Sequence, residues 1–411
     1  MGKIIYYELR KSILKRYYLI MVLFAVVTNF LNISIHYKTL EPDYQDIVNR
    51  NFVTEKKWNA YQSLHKKLDG PLNKEKISYV IDTYQELDGQ TSDRTYSTEY
   101  NEDTFTGYVF GDYVLFRKEF YEPVKYLVEY QDHINEKVEK AKENMAYYEK
   151  YHNTYEYQKN KEIVKRYSNR KLNFFYDTKT WLKLLEYHFS DFLILVLLIL
   201  GVVPVYSQEK NTGMHQLIQT TKQGKWTFCI GKYIAFILPV VTLVFLFHFM
   251  NWLGYRCTFG LSSGSVPLYS IPKYQYTVWN GSIMQFYIFL FVMKCLGFIV
   301  LSLIFNLVSE HVSSLVTSYI LCVFITIVCT YLSGYVEAIE NVHVLLGCIS
   351  PMTLLKGIES YGTMKGGPLS QHFMIRGNVT ICINLLLLSI IAGSRLRKWR
   401  KKSEARNNKA F

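Results

Sequence analysis

The stretch Ile283–Leu307, IMQFYIFLFVMKCLGFIVLSLIFNL, holds 25 residues, and a single one of them, Lys294, is charged. A helix of this length extends about 37 Å, more than the roughly 30 Å of hydrocarbon in a bilayer, so the stretch predicts a membrane-spanning helix. Five further apolar windows occur, at 17–36, 188–206, 231–250, 313–333 and 377–394. We therefore expect an all-α polytopic membrane protein with six transmembrane helices.

Residues 37–187 form a polar insert between the first two predicted spans. They carry 24 Lys+Arg and 26 Asp+Glu, a net charge of −2, whereas the whole chain has a formal net charge of +13. The basic excess therefore belongs to the apolar part, where cytoplasmic loops beside anionic membrane lipids explain it better than nucleic acid does. The insert contains no cysteine, so we expect its fold to be independent of disulfides.

The distribution of Lys and Arg predicts the topology. Basic residues precede the first span within 1–16, an expected amphipathic helix; they follow the second span within 207–230, and eight more lie in the tail 395–411. The positive-inside rule then places both termini in the cytoplasm of a bacterial cell, in a multi-pass plasma-membrane protein. The insert, the loop 251–282 and the segment 334–376 are expected outside, and the short apolar piece 342–349 is predicted to be re-entrant or interfacial.

A heptad pattern predicts a long helix within the insert. Apolar or large residues recur at alternating spacings of four and three, at Phe120, Val124, Leu127, Gln131, Ile134, Val138, Ala141, Met145 and Tyr148. The stretch 58–68 is a candidate partner helix, and 77–87 predicts a third helix ending at Gly89. Residues 104–116 suggest a short β-hairpin turning at Gly111-Asp112. The insert is therefore expected to be a mainly helical, coiled-coil-like extracellular domain.

The link between the second and third spans carries the most informative motif, YSQEKNTGMHQLIQTTKQGKW at 206–226. Met214, Leu217 and Ile218 share one face of a predicted short helix, and Gln216, Gln219 and Lys222 lie away from it. Such a helix would lie at the membrane surface, where it could be pushed by a protein beneath.

This link resembles that of the permeases of the type-2 ATP-binding cassette (ABC) family. Residues that match the family pattern are Glu209, Gly213, Leu217, Thr220, Thr221 and Lys222. The resemblance implies a coupling helix, with Met214 and Ile218 also in its ATPase-facing surface, seated in a cleft of a nucleotide-binding subunit. The basic N-terminal helix, the sequence Ile349–Leu355 before the last span and the position of the insert agree with that family.

Nucleotide hydrolysis is not expected in this chain. The phosphate-binding pattern G-x-x-x-x-G-K-[ST] does not occur, so ATP and Mg²⁺ would belong to a partner ATPase, and no cofactor or metal is expected here. The sequence Gly260–Gly264 fits G-x-S-x-G, but that pattern is catalytic only at a strand-to-helix elbow, and here it lies in a predicted loop between spans. We therefore predict a non-enzymatic transport subunit.

Lys294 is a candidate residue of the translocation path. It lies near the middle of a predicted span, where an ionisable group is costly and often functional. The alternative is a structural role, in which Lys294 is paired with Glu310 or a backbone carbonyl, or extends its amine to the interface.

The resemblance implies an exporter of a hydrophobic or amphipathic substrate, such as a peptide, lipid or drug. It would work with ABC-type ATPase subunits and a second permease chain, identical or similar, among membrane lipids. One alternative is a mechanotransmitter that passes energy to the insert without moving cargo. Another is a membrane receptor or scaffold that acts through its external coiled coil and needs no ATPase.

Overall fold

The computed structural model describes residues 2–12, 14–38, 63–92, 100–211, 226–312, 314–338, 341–368 and 372–407. The protein is predominantly helical. Its helices are α1 Gly2–Ser12, α2 Arg16–Lys38, α3 Lys74–Ser92, α4 Val109–Phe116, α5 Glu122–Lys150, α6 Thr154–Tyr167, α7 Lys179–Leu185, α8 Phe189–Asn211, α9 Trp226–Phe259, α10 Ile283–His311, α11 Leu315–Ser333, α12 Asn341–Ile349, α13 Met352–Leu355, α14 Gly357–Tyr361 and α15 Arg376–Asn407. Residues 63–68 are also helical, and two short strands, β1 Gly70–Pro71 and β2 Phe174–Phe175, pair antiparallel.

Six helical stretches among the described residues are long and apolar enough to cross a membrane. They are Arg16–Ile35, Lys179–Pro204, Tyr233–Phe259, Ile283–His311, Leu315–Glu337 and Arg376–Ser394. Each overlaps one of the six predicted windows, so the expected number of candidate spans is confirmed. Except for α11, the helices themselves are longer than the windows, because helix formation continues past the apolar residues into polar sequence. For example, α9 extends nine residues beyond position 250, and α15 continues through the basic tail to Asn407.

The chain divides into two compact units. The span unit comprises Met1–Ile33, Leu185–Gly254 and Tyr287–Phe411, and the insert unit comprises Ser34–Leu184 and Tyr255–Phe286. The core of the span unit is built from apolar side chains of α2, α8, α9 and α10, with Val203, Val244 and Phe298 completely buried. Helix α11 contributes little to it, and residues such as Val316, Phe324 and Ile327 remain more than half exposed.

Small residues allow close helix packing within the span unit. A Cβ on Gly297 of α10 would lie 2.9 Å from the carbonyl oxygen of Pro351, and one on Gly347 of α12 would lie 2.5 Å from the backbone nitrogen of Val336. Both positions therefore require glycine. Helix α12 is the short apolar piece expected to be re-entrant; it is helical and ends just before Pro351, while its depth in a membrane stays a prediction.

The helix predicted from the heptad pattern is present in the insert unit, and most of its seam is buried. Phe120, in a π-helical turn just before α5, and Val124, Leu127, Ile134, Val138 and Ala141 of α5 are buried, whereas Gln131, Met145 and Tyr148 are only half-buried. The predicted partner helix was only partly right. Leu64 and Leu68 pack in the same cluster as Val124 and Leu127, near the start of α5. Helix α5 also packs against α6, which follows it in the chain. Trp58 and Tyr61, also expected in that partner, lie outside the described residues.

A short turn between α5 and α6 lets these two consecutive helices pack against each other as a helical hairpin. His152 adopts a left-handed backbone conformation (φ 55°), and the side chain of Asn153 caps α6 by accepting a hydrogen bond from the Glu156 N–H. The sequence Asn153-x-x-Glu156 resembles a helix start signal, which could have located α6 from sequence alone.

The predicted β-hairpin at 104–116 was wrong, because residues 109–116 form α4. The Gly111-Asp112 pair does not turn the chain. Gly111 instead lets Thr106 approach closely, since a Cβ on it would lie 2.4 Å from the Thr106 hydroxyl oxygen. Asp112 lies in the first turn of α4 and binds the backbone of the preceding loop. The third predicted helix, around 77–87, is present as α3, but its predicted end at Gly89 was wrong, because the helix continues to Ser92.

Candidate functional site

Lys294 forms a buried ion pair in the span unit. Its amine donates hydrogen bonds of 2.8 and 2.9 Å to the two carboxylate oxygens of Asp191, which lies in the first turn of α8. The exposed fractions of the two residues are 7% and 5%. His188 Nδ1 lies 3.2 Å from one of the same oxygens. The expected alternative pairing with Glu310 was wrong, because the carboxylate that binds Lys294 is 103 residues away in the chain.

The two residues of the pair lie at different positions along their helices. Asp191 lies two positions after Phe189, the first residue of α8, whereas Lys294 is the twelfth residue of α10. A lysine side chain in a helix points toward the N-terminus, which here is the start of α10. The depth of the pair in a membrane stays a prediction.

A second set of side-chain hydrogen bonds starts at Ser190, the residue before Asp191, and reaches two other spans. Ser190 accepts a bond of 2.8 Å from the Asn251 amide of α9, and Asn251 in turn accepts one of 2.8 Å from the Asn29 amide of α2. The Tyr187 hydroxyl donates to Asn29 and Asn32 at 3.0 Å. We call Tyr187, Ser190, Asp191, Asn251, Asn29 and Lys294 the span network. It connects α2, α8, α9 and α10.

The ion pair of the span network is stable only when both of its partners are present. Removing an ionised group from water costs several kcal/mol, and the loss is recovered only when partners are present with good geometry. Asp191 accepts from Lys294 on both oxygens, and the Asn29 and Asn251 amides bond to each other, so each side chain depends on its neighbour. A relative shift of α8 and α10 would break the pair. The arrangement can therefore hold these two helices in one register.

Sequence reasoning missed the partner of Lys294, although a signal was present. Asp191 is the one acidic residue within the six predicted windows, and Lys294 lies in another of them. Two opposite charges inside apolar segments are expected to pair, since neither is stable alone in hydrocarbon. The polar residues Asn29 and Asn251 lie in different predicted segments, and nothing in their local sequence indicates that they meet.

The structure describes only one of the predicted coupling residues, Glu209, and of that residue only the backbone. Glu209 belongs to α8, which continues unbroken from the ion pair to Asn211, while its side chain is not described. Gly213, Met214, Leu217, Ile218 and Lys222 lie outside the described residues. Their assignment to an ATPase-facing helix stays a prediction, and so does the assignment of Lys294 to a translocation path.

A second polar site in the insert unit fixes the loop that joins α9 to α10 in the chain. Arg170, which is 2% exposed, donates to the carbonyl oxygens of Gln275 and Thr277 at 3.1 and 2.6 Å. It also donates twice to the Asn280 side chain, at 3.0 and 2.7 Å. We call Arg170 and these three partners the Arg170 clamp.

Aromatic rings enclose the clamp. The guanidinium carbon of Arg170 lies 4.1 Å from the ring centre of Tyr167 and 4.5 Å from that of Tyr269, distances at which cation–π attraction is favourable. Tyr126 and Tyr167 donate their hydroxyls to loop carbonyls at 2.7 and 2.6 Å. Burial raises the pKa of Tyr130 to about 12, so this phenol, stacked on Tyr269, stays neutral at physiological pH. The loop is therefore held to α5 and α6 by many polar contacts.

No protein-family model, curated protein or solved structure matches this chain. The resemblance to type-2 ABC permeases consequently rests on the motifs given above. Among the described residues, no group of three or more His, Cys, Asp or Glu side chains is arranged to hold a metal ion.

Proposed function

We propose that this chain is the membrane-spanning subunit of an ATP-driven ABC exporter. It would move a hydrophobic or amphipathic substrate, such as a peptide, lipid or drug, using ATP and Mg²⁺ bound to a separate ATPase subunit. A second permease chain, identical or similar, would complete the assembly in the bacterial plasma membrane. The insert would lie outside the cell, and both termini would be cytoplasmic.

The observation that carries this proposal is the continuity of α8. One helix bears Asp191 of the buried ion pair and Glu209 of the motif that resembles a coupling link. Eighteen residues separate them, which corresponds to about 27 Å along the helix axis. A displacement of the link by a closing ATPase would therefore be transmitted along α8 to the span network.

A displacement of α8 would act on the ion pair between Asp191 and Lys294. In the resting arrangement Lys294 holds α10 to α8 through Asp191. Rotation or sliding of α8 would separate the two charges or require both to move together, because neither is stable alone in an apolar surrounding. Movement of the ATPase would then move α8 and α10 as one body. Pro204, within α8, supplies a position where the helix can bend.

Mechanotransmission is the second candidate function, and the Arg170 clamp favours it. The clamp fixes the loop between α9 and α10 to Arg170, three residues after the end of α6 in the insert unit. Strain in this loop would therefore reach α5 and α6 without cargo crossing the membrane. Transport of a substrate into sealed vesicles would separate the two functions, since a mechanotransmitter hydrolyses ATP with its partner but accumulates nothing.

The first test is purification of the tagged full-length chain from its native membrane, with mass spectrometry of co-purifying proteins. We expect an ATPase in near-stoichiometric yield. Charged substitution of the apolar face, Met214→Glu, Leu217→Glu and Ile218→Glu together, should abolish the association. The matched control is Gln216→Glu with Gln219→Glu on the opposite face, which should retain it.

Two outcomes would overturn the proposal. If the wild-type chain purifies alone or with an envelope protein, the receptor or scaffold alternative is favoured. If the ATPase binds both sets of variants equally, residues 214–218 do not form its docking surface. Glu209→Gln then tests coupling separately: we expect the ATPase to remain bound while transport stops, and normal transport by this variant would remove Glu209 from the mechanism.

A further inference from the structure

A cavity of about 340 Å³ lies in the insert unit, between residues 63–68, α3 and α4. It is independent of the span network and of the Arg170 clamp. Most of its wall is apolar and consists of Leu64, Leu87, Phe105, Leu115, Phe116 and Phe120. Phe116 and Phe120 belong to the buried core of the unit, while the other four are only partly buried and pack on that core. The wall is thus a continuation of the hydrophobic core that the described residues leave open.

The one acidic side chain in the described wall, Asp112, is already satisfied. Its two oxygens accept hydrogen bonds of 2.7 Å from the backbone N–H groups of Phe105 and Thr106, and one of them also accepts a 2.7 Å bond from the Thr106 hydroxyl. Backbone donors arranged in this way stabilise a carboxylate without a cation. Asp112 therefore serves to hold the loop against α4 and does not require a positively charged ligand.

Lys67 is the basic residue of the same wall. It is exposed, and its amine lies 5.2 Å from the ring centre of Tyr79, another wall residue. Within the described part of the chain it forms no ion pair with an acidic residue. An ammonium group beside an aromatic ring, at the edge of an apolar cavity, provides a site for one anionic group.

We propose that this cavity binds a single-chain anionic amphiphile, a fatty acid or a molecule with the same acyl chain and carboxylate. The acyl chain would lie against the apolar wall, and the carboxylate would pair with Lys67. The cavity volume lies at the lower end of the roughly 300–1,000 Å³ typical of small-molecule sites, which suits a ligand with one acyl chain. This inference concerns the insert unit alone and does not depend on the proposed exporter function.

Photolabelling of the full-length chain in lipid nanodiscs tests the proposal. The probe is dodecanoate carrying a diazirine on its chain, and labelled peptides are identified by mass spectrometry. We expect labelling in 63–68, α3 and α4, displaced by unlabelled dodecanoate and not by a dodecyl ammonium cation. Because probe in the bilayer also labels the spans, span peptides serve as an internal standard for each variant.

Matched variants separate charge from shape. Lys67→Glu should reduce labelling of the insert peptides about tenfold or more, the effect of losing one charge-assisted bond of about 1.5–3 kcal/mol, while Lys67→Arg should retain it. Leu87→Trp should fill the cavity and abolish labelling. Lys66→Glu and Val128→Trp, at exposed positions outside the cavity wall, should leave labelling unchanged.

The proposal fails if Lys67→Glu and Lys66→Glu label alike, if the cationic amphiphile competes as well as dodecanoate, or if labelling is confined to the spans. Thermal unfolding of each variant establishes that Leu87→Trp is folded. If that variant is not folded, the comparison of Lys67→Glu with Lys67→Arg and Lys66→Glu decides the question without it.

Discussion

Lys294 and Asp191 show how one pair of residues can constrain four helices. The two charges lie on α10 and α8, and the residue beside Asp191 begins the hydrogen bonds that reach α9 and α2. Breaking a buried ion pair by removing one partner typically costs about 3–5 kcal/mol, whereas replacing both partners by apolar residues is often nearly neutral. The pair is therefore better suited to fixing the register of the helices than to adding stability.

A double-substitution experiment follows from this asymmetry. Lys294→Met should lower the free energy of unfolding by about 3–5 kcal/mol, because Asp191 is left charged and buried. Adding Asp191→Leu to the same chain should restore most of that loss. The control is Val292→Met, at a position 57% exposed on the same helix, which should change little. SDS titration in mixed micelles measures these values, and equal losses in the single and double variants would contradict the account.

His65 is a residue in the insert unit whose protonation is coupled to folding. Burial lowers the pKa of its imidazole; the nearby carboxylates of Asp177, Glu119 and Asp69 act in the opposite direction, and Lys179 adds to the lowering. The folded state therefore binds this proton less tightly than the unfolded state does. Stability contributed by neutral His65 is present above the ordinary histidine pKa of about 6.5 and is lost as the pH falls below it.

Hydrogen exchange of the insert peptides at about pH 7.5 and about pH 5.5, corrected for intrinsic rates, measures this effect over a window on either side of the ordinary histidine pKa. We expect the wild-type insert to be less protected at the lower pH and His65→Gln to show a smaller change. His133→Gln, at an exposed position on α5, should behave as wild type. The same pH response in His65→Gln as in wild type would assign the effect to other groups. Burial raises the pKa of Asp69. Its effect on the stability of the insert is therefore opposite to that of His65, and it occurs at lower pH.

At the level of single elements, the loop between α9 and α10 contains little regular secondary structure, yet several of its side chains are buried. Two short 3₁₀ turns, Leu268–Ser270 and Pro272–Tyr274, are its only helical pieces, yet Leu268, Ile271 and Tyr274 are buried. Some of its carbonyl groups accept from the loop's own backbone, while those of Tyr269, Gln275, Tyr276 and Thr277 accept from side chains of α5, of α6 and of Arg170, which follows α6. The loop therefore depends on the insert for its conformation.

Arg170→Met should release this loop. Each charge-assisted hydrogen bond contributes about 1.5–3 kcal/mol, so amide exchange across 268–280 should accelerate about ten- to a hundredfold. Lys161→Met, which removes an exposed charge from α6, is the matched control and should leave exchange unchanged. If Arg170→Met leaves the loop as protected as in wild type, the tyrosines hold it and the guanidinium does not.

At the level of the whole molecule, the proposed topology follows from six candidate spans and the distribution of basic residues. An even number of spans puts both termini on one side, and the positive-inside rule makes that side the cytoplasm. The proposed topology puts the insert on the opposite side, where we expect a carboxylate amphiphile to reach Lys67.

Reporter fusions test this topology. Green fluorescent protein fused after Phe411 should fluoresce, and alkaline phosphatase at the same position should be inactive. Alkaline phosphatase inserted after His152, in the turn between α5 and α6, should be active. The opposite reporter activities would contradict this topology and would place the insert in the cytoplasm.

The sequence by itself determined the features that depend on local composition. Six apolar runs gave the number of candidate spans, and a four-three spacing gave the buried face of α5, because hydrophobic burial is set by how apolar residues recur along one helix. Prediction from the local pattern failed at residues 109–116, where contacts with neighbouring residues outside that stretch determine the secondary structure. Residues 109–116 have β-branched and aromatic residues that favour a strand, but Asp112 and the approach of Thr106 to Gly111 stabilise a helix.

Only the tertiary structure decided which residues meet. The bond between Lys294 and Asp191 joins positions 103 apart, and those of the Arg170 clamp join positions 105–110 apart. A charged group in an apolar surrounding must find a partner, and so its sequence context predicts that it is paired. Which partner it finds depends on the register of packed helices, and that register is set by interactions between segments distant in the chain.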